Sequence, residues 1–361
     1  MPGKTTTYIG LGSNLGYRQG HINTALKMLN DLGTVELIRV SDFIETKPLA
    51  GADQPDYINA VVELETPLAA HNLLGELVRI EIALGRAPAE KWAPRTIDLD
   101  LLVFGAEKIS TPELTVPHRQ MHMRSFVLRG LCQLNPELVH PVLGEPVTEL
   151  AGRLNGCDFI IRPDLPQLVS VAGIIGVGKT TLAEKLAAAL SAELLREPYD
   201  TNPFMPEVYA GKKELALDSQ FYFLTHRVEQ LDPGRLRPGW VAVTDYIFDK
   251  ELIYGKRLLD ARQFDVYERA FGPLAKTVAG SVLVVYLNDS PQNCLDRIHR
   301  RNRPYEQRIQ LDFLEKLAGD YDRLFQDWRQ SPLIRLSATK FDCASESDAS
   351  HLARQIRHYI A

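Results

Sequence analysis

Two domains in tandem are predicted, an α+β domain over residues 1–163 and an α/β domain with a parallel sheet over residues 164–361. Three observations predict them. Strand-like and helix-like stretches alternate irregularly before residue 105, which favours α+β over a doubly wound sheet. Arg162-Pro163-Asp164-Leu165-Pro166 holds two prolines in five residues and suits a short stiff linker. Directly after it come an apolar strand, a glycine-rich turn and a helix, the order that begins a parallel α/β domain. A chain of 361 residues is long enough for each domain to bury its own core.

Taken in order, alternating apolar residues in Thr5–Gly10 predict a strand, and the spacing of Ile22–Leu32 predicts a helix. Val35–Phe43 and Tyr57–Leu64 read as further strands. Leu73–Leu84 reads as a helix stopped at Gly85, and Ile97–Phe104 as a strongly apolar strand closed by Gly105. In the second domain Leu168–Ala172 is the strand and Thr180–Leu190 the helix. Trp240–Thr244 and Val282–Leu287 are apolar runs of the kind buried parallel strands use.

Hydrophobic residues make up 45% and charged residues 24%, as in a soluble globular protein. A net charge of -5 argues against bulk binding to nucleic acid or to an anionic membrane, and local basic pockets stay open. Cys132, Cys157, Cys294 and Cys343 lie far apart with no CxxC pair, so reduced thiols are expected rather than disulfides or a metal site. The opening MPGKTTTYIGLGSNLG lacks the order of a signal peptide, and no run of about 18 apolar residues occurs. The expected setting is cytoplasmic.

The stretch Gly10-Leu-Gly12-Ser-Asn-Leu-Gly16 is spaced GxGxxxG and lacks the later acidic residue of a dinucleotide fingerprint. A tight structural turn is expected there. Trp92-Ala-Pro-Arg95-Thr-Ile-Asp98-Leu-Asp100 says more. On a strand, Asp98 and Asp100 point to one side while Ile97, Leu99 and Leu101 face inward. Paired carboxylates repel unless cations lie between them, and hard oxygen ligands favour Mg²⁺. Two acids on a solvated strand face would be the plain alternative. Nearby Arg86, Lys91, Arg95, His118 and Arg124 supply the donors a triphosphate needs.

Val-Pro-His118 with Arg124 and Phe126, the segment Arg95–Asp100, Asp53-Gln-Pro-Asp-Tyr57-Ile-Asn59-Ala and the opening Gly10–Asn14 together resemble the 6-hydroxymethyl-7,8-dihydropterin pyrophosphokinase family, over about residues 5–158. The resemblance implies a ferredoxin-like α+β fold and transfer of pyrophosphate from ATP to the pterin hydroxymethyl oxygen, releasing AMP. It implies two Mg²⁺ on Asp98 and Asp100, with Arg86 and Arg95 also in the catalytic set. ATP would meet Glu81, Arg86, Trp92, Arg95, Ile97, Thr115, His118 and Arg124. Tyr57 and Phe126 would sandwich the pterin, Asn59 would bond its edge, and backbone at Thr46 and Leu49 would complete recognition. Alone, Tyr57 or Phe126 would read as a core aromatic. Lys47 stands where the family often has proline, the loop Arg86–Trp92 is one residue short and lacks a second arginine, and Glu113 replaces a basic residue of some members.

Gly173-Ile-Ile-Gly176-Val-Gly178-Lys179-Thr180 matches GxxxxGK[ST] between a predicted strand and helix, the context a P-loop requires. Amides at the helix start, with Thr181 next in line, would cradle phosphate; Lys179 would reach its oxygens and Thr180 would hold one Mg²⁺. Glu197-Pro198 follows a strand end and could meet a substrate hydroxyl. Arg297-Ile-His-Arg300-Arg301-Asn-Arg303-Pro-Tyr-Glu306 is dense enough in guanidinium for a phosphoryl-transfer lid.

With Asn202-Pro-Phe, Tyr209, Gln220-Phe-Tyr-Phe-Leu, Tyr321 and Trp328, these residues resemble deoxynucleoside kinases over about residues 168–340. The resemblance implies Glu197 as general base for the 5′-hydroxyl and Gln220 reading the base edge. It places Tyr209 with Glu306 on the 3′-hydroxyl, Asp245 in the nucleoside site, and Arg301 and Arg303 on the transferring phosphate. It also implies a homodimer through this domain. Thr244-Asp245-Tyr246-Ile-Phe-Asp249-Lys250 lacks the arginine usual at that point, and Lys250 is the candidate to take its part.

The expectation is therefore a bifunctional folate-pathway transferase with ATP as co-substrate, a pterin and a deoxynucleoside as acceptors, and no nucleic-acid or membrane partner. Two alternatives stand beside it. The second domain could phosphorylate nucleoside monophosphates or another small alcohol, or be a silent nucleotide-binding and dimerising module.

Overall fold

The structure is a computed structural model that describes residues 3–49, 53–86 and 93–361. The chain divides into two compact units, Met1–Ile160 and Ile161–Ala361.

The first unit opens with β1 (Thr5–Ser13), α1 (Arg18–Asn30), β2 (Glu36–Val40), β3 (Ile44–Thr46), β4 (Tyr57–Thr66), α2 (Ala70–Ala83) and β5 (Asp98–Phe104). The sheet runs β2-β4-β1-β5, with β3 also against β4, and every pairing is antiparallel. A small hairpin of β6 (Ile109–Ser110) and β7 (Thr115–Val116) leads to α3 (Ser125–Leu134) and α4 (Val147–Leu154). One face of the sheet packs Ile9, Leu11, Leu99 and Leu101 on Ile22, Leu29, Leu73 and Leu77 of α1 and α2. The other packs Tyr8, Val61 and Leu102 on Val127, Leu128 and Leu131 of α3 and Leu150 of α4. With both faces covered, β1 is buried almost throughout instead of alternating.

Two expectations change here. Gly10 and Gly12 do not form a tight turn; they lie inside β1, paired with Val61 and Asn59 of β4 and with Asp100 and Asp98 of β5. A strand flanked on both edges supplies all their backbone partners, so glycine serves close approach rather than reversal. Val35–Phe43 is likewise not one strand. The edge breaks at Ser41, whose Oγ accepts from the Val61 amide at 2.9 Å while the Ser41 amide donates to the Val61 carbonyl at 2.8 Å. The chain then returns to β4 as β3.

The second unit begins with β8 (Gln167–Ala172), α5 (Lys179–Leu190), β9 (Glu193–Leu195), α6 (Met205–Tyr209) and α7 (Ala216–Gln230). It continues with β10 (Val241–Thr244), α8 (Lys250–Leu258), α9 (Ala261–Leu274), β11 (Leu283–Asn288), α10 (Pro291–Arg301), α11 (Leu311–Gln326), β12 (Leu333–Ser337) and α12 (Glu346–Ile356). Its five strands are all parallel in the order β12-β11-β8-β10-β9. The whole of β8 is buried, as a central parallel strand must be. Because β8, β10 and β9 are neighbours, the chain leaving their carboxyl ends meets in one crevice, where open parallel sheets place their sites. Among the described residues no helix is long and apolar enough to cross a membrane.

Leu73 is fully buried between α2 and the sheet. Leu73→Ala should destabilise the first unit by about 2–5 kcal/mol, a transfer loss plus a cavity. Urea denaturation followed by hydrogen exchange at α2 amides measures it, and an unchanged midpoint would show that this core repacks freely.

Candidate functional site

In the first unit, β5 alternates as the sequence requires. Leu99 and Leu101 enter the core, and Asp98 and Asp100 face a cavity of about 240 Å³ on the opposite side. The floor is β1, where a Cβ on Gly12 would stand 3.1 Å from Asn59 Oδ1 and 3.9 Å from Asp98 Cβ. Glycine there leaves the space between β4 and β5 open. Thr46, Leu49, Tyr57, Asn59 and Phe126 line the apolar end, and Asn59 donates to Thr46 Oγ1 at 2.8 Å. Arg95, Asp98, Asp100 and Arg124 line the charged end. The buried Asn14 fixes the approach to β5, accepting from the Arg95 amide at 2.7 Å.

Each acid has its own cations. Asp98 accepts from Arg95 at 2.9 Å and pairs with Arg86 at 2.9 Å; Asp100 accepts from Arg124 at 3.0 Å, with His118 Nε2 4.0 Å away. Burial and the adjacent Asp100 push the Asp98 carboxyl above its usual range. Burial also opposes charge on Asp100, but the cationic side chains around it outweigh that and hold its carboxyl low. Burial holds the His118 imidazole below its usual range.

Nine of the expected residues thus share one cavity, and Arg86 and His118 join it through the two acids. Glu81 and Ile97 do not open into it. Glu81 is buried beneath β5, accepting from the Leu99 amide at 2.7 Å and from Arg86, and the Ile97 side chain belongs to the core. Thr115 is exposed on β7, and Lys47 pairs with Asp56 at 2.8 Å on the cavity rim. Lys91 and Trp92 lie outside the described residues.

In the second unit the turn from β8 to α5 is held by glycines. Gly176 has φ +81°, and a Cβ there would meet the Cys294 carbonyl oxygen at 2.5 Å. Only glycine fits both the left-handed backbone and the approach of α10. Lys179 Nζ folds back to the Ile174 carbonyl at 2.9 Å, and burial with Lys250 close by lowers its pKa to about 8. Asp245, at the end of β10, ties the turn to the next strand. It accepts from Thr180 Oγ1 at 2.6 Å and from the Glu197 amide at 2.8 Å. Thr181 is exposed on α5.

Glu197 therefore stands beside the P-loop in a crevice of about 110 Å³ with Gln220, Asp245, Lys250, Arg301, Arg303 and Glu306. Burial opposes its charge, but Lys250 and Arg227 overcome that and lower its pKa to about 2. Arg301 donates to Glu306 at 2.6 Å, and Arg303 donates to the Tyr199 hydroxyl at 2.6 Å. Arg297 turns away to Asp289. The side chain of Tyr209 lies outside what the structure describes.

Arg227 and Glu251 were not expected here. Arg227 bonds both Glu197 and Glu251, and Glu251 also accepts from the Tyr267 hydroxyl. The signal was present on α7, where Ser219, Gln220, Phe223 and Leu224 form a buried stripe that Arg227 continues one turn on. A guanidinium in a buried stripe requires a buried acid.

Two family models match the chain: 7,8-dihydro-6-hydroxymethylpterin-pyrophosphokinase over residues 8–136 and deoxynucleoside kinase over residues 169–361. The first unit is similar to a 2-amino-4-hydroxy-6-hydroxymethyldihydropteridine pyrophosphokinase of Haemophilus influenzae, 44% identical over 145 residues, covering 40% of this chain and 90% of that one. A protein of the same name from Pseudomonas aeruginosa is 42% identical, covering 42% and 91%. The folic acid synthesis protein fol1 of Schizosaccharomyces pombe is 37% identical, covering 41% of this chain and 20% of that one. Among solved structures, deoxyadenosine kinase from M. mycoides with bound dATP superposes with a TM-score of 0.46 at 20% identity, covering 53% of this chain and 99% of that one.

Glu251 has a fully buried side chain. Glu251→Ala leaves the Arg227 charge half answered and should destabilise the second unit by about 3–5 kcal/mol. A urea midpoint equal to that of the wild type, read by hydrogen exchange in α7, would show that Glu197 alone suffices for Arg227.

Proposed function

The chain belongs to the 7,8-dihydro-6-hydroxymethylpterin-pyrophosphokinase family through its first unit and to the deoxynucleoside kinase family through its second, and from that premise we propose one polypeptide with two ATP-dependent transfers. The first unit moves the pyrophosphoryl group of ATP to the hydroxymethyl oxygen of 6-hydroxymethyl-7,8-dihydropterin and releases AMP. The second moves the γ-phosphoryl group of ATP to the 5′-hydroxyl of a deoxynucleoside and releases ADP. One observation carries the reading: each unit joins an apolar slot to a cluster of guanidinium and ammonium groups, with carboxylates where the two meet.

In the first unit the slot between Tyr57 and Phe126 suits a flat heterocycle, with Asn59 for its edge and the backbone at Thr46 and Leu49 beside it. Arg86, Arg95, His118 and Arg124 suit the triphosphate. Asp98 and Asp100 fit a hard divalent cation, since Asp98 is pushed up by burial and by the neighbouring acid that a cation between them would offset. They are the residues that would hold two Mg²⁺, and Thr180 would hold one in the second unit. Bound there, Mg²⁺ neutralises phosphate charge. The βαββαβ order of β1, α1, β2, β4, α2 and β5 supports a ferredoxin-like reading of this unit.

In the second unit the amides that open α5 and Lys179 suit the phosphates of ATP. Glu197 is the carboxylate suited to take the proton of the acceptor hydroxyl, and Arg301 and Arg303 are suited to steady the moving phosphate. Gln220 is the buried side chain suited to a base edge. A homodimer through the second unit rests on the family resemblance alone, and a cytoplasmic setting on the sequence reading alone.

Asp98→Ala should abolish pterin-dependent AMP release, by about 10²-fold or more, and leave acceptor-dependent ADP formation intact. Near-normal AMP release would remove Asp98 from the reaction. Conversely, Glu197→Gln should cut nucleoside monophosphate formation by about 10²–10⁴-fold and spare the pterin reaction. Chromatography of products from a panel of deoxynucleosides, nucleoside monophosphates and other small alcohols reads both. A preference for monophosphates would replace the proposed acceptor.

A further inference from the structure

Glu197 is held by two buried cations, and they do different things. Lys250, at the start of α8, donates to Glu197 Oε1 at 2.7 Å and to Oε2 at 2.8 Å. Arg227 of α7 also reaches Oε1. Its other nitrogen is taken by Glu251, whose second oxygen accepts from Tyr267 of α9. Two cations and two carboxylates form one buried cluster, in which Glu251 balances Arg227 and Lys250 is left to balance Glu197. Lys250 is 4% exposed, and its ammonium sits 4.6 Å from the Tyr254 ring centre, so its direction is fixed from a second side.

The oxygens of Glu197 are consequently unequal. Oε1 accepts from both cations, whereas among the described residues Oε2 accepts from Lys250 alone. Its backbone is fixed as well, since the Glu197 amide donates to Asp245. We propose that Lys250 is the positioning residue of the second unit: it clamps Glu197 so that Oε2, with a lone pair to spare, meets the acceptor hydroxyl. The inference rests on the phosphoryl transfer proposed for this unit. In that step the hydroxyl oxygen bonds the γ-phosphorus as the bond from phosphorus to the β,γ-bridging oxygen breaks, and ADP leaves with that electron pair. The hydroxyl proton passes to Glu197 Oε2 and is lost to solvent after product release. The loose transition state of such transfers asks little basicity of the acceptor of the proton and much of its placement.

The other charged or titratable groups around Glu197 are Lys179 of the P-loop turn, Tyr246 just after β10 and Tyr321 of α11, besides Asp245, Arg227 and Glu251. None of these duplicates the contact of Lys250 with both oxygens. Removing Lys250 should therefore loosen the carboxylate and make it easier to protonate.

The test uses the full chain with ATP, Mg²⁺ and a deoxynucleoside it turns over, from pH 3 to 9, a window that reaches the raised pKa expected of the variant. Lys250→Met should lower kcat by about 10²-fold with KM little changed. Its rate should also fall on the acid side with an apparent pKa about 1–2 units above the wild type, as expected for a carboxylate that loses an adjacent cation. Lys250→Arg, which keeps the charge, should recover most of kcat and the flat acid side. A Lys250→Met loss that is the same at every pH, or an arginine variant as slow as the methionine one, overturns the proposal. Should Lys250→Met fail to fold, the arginine variant decides by the same criteria. ¹³C titration of the Glu197 carboxyl in wild type and variant reads the clamp without turnover. A shift there in a wild type that phosphorylates no nucleoside would sink the proposed acceptor and keep the clamp; no shift would sink the clamp itself.

Discussion

Two carboxylates on one face of a strand repel each other, and much of the first unit is arranged around Asp98 and Asp100. The alternation of β5 puts them there because Leu99 and Leu101 must enter the core. Glycine at position 12 of β1 keeps a side chain from filling the space in front of them. Arg86 comes from the end of α2, Arg95 from the approach to β5, His118 from the segment after β7, and Arg124 from the entry to α3. Four separate elements thus converge on two acids. Glu81 anchors this arrangement from below, accepting from the Leu99 amide and from Arg86 at once. A single buried acid holds the backbone of β5 in register with the cation that serves its surface.

The second unit meets a related demand in another way. A parallel sheet brings the ends of β8, β10 and β9 together, and Asp245 links all three, bonding Thr180 on one side and the Glu197 amide on the other. The position of Glu197 relative to the P-loop is therefore set by two hydrogen bonds from one carboxylate. Its charge is set by helices α7 and α8, which present Arg227 and Lys250 from beneath. Backbone placement comes from the sheet and ionisation from the helices.

Much of this was legible in the sequence, and what was not has physical reasons. The strands around Ile9, Leu64 and Leu101 follow from apolar pattern, and the P-loop follows from a spacing that only a glycine-rich turn before a helix satisfies. Asp98 and Asp100 were legible because an alternation of two has only one outcome on a strand. The glycines of β1 were misread because a strand that needs close approach and a turn that needs unusual backbone both call for glycine. The helices α3 and α4 were unassigned, although Val127, Leu128, Leu131 and Leu134 carry a helical spacing. The pair Arg227–Glu251 was missed because its residues lie 24 positions apart, and no spacing rule links a helix to the helix it packs against. Only the arginine one turn beyond Phe223 and Leu224 on the same helix face betrayed that a buried acid had to exist.

The two clusters arrange their acids differently, and that difference separates their chemistry. In the first unit burial and the neighbouring acid drive Asp98 up despite Arg95 and Arg86 beside it, while the cations around Asp100 hold that acid low. Such a site gains most from a further cation, and it presents hard oxygens to one. In the second unit two cations drive Glu197 down to about 2, so the crevice carries positive charge in excess around an acid already ionised. Another cation at that carboxylate would add little, whereas an anion approaching Lys179, Arg301 and Arg303 would meet positive charge. The same residue types, acids and arginines, thus set two carboxylates side by side among guanidinium groups in one half of the chain. In the other half they make a site that draws in anions with a carboxylate kept ready at its centre. What decides between them is whether two acids share one strand face, as Asp98 and Asp100 do, or stand apart with a cation between them, as Glu197 and Glu251 do across Arg227.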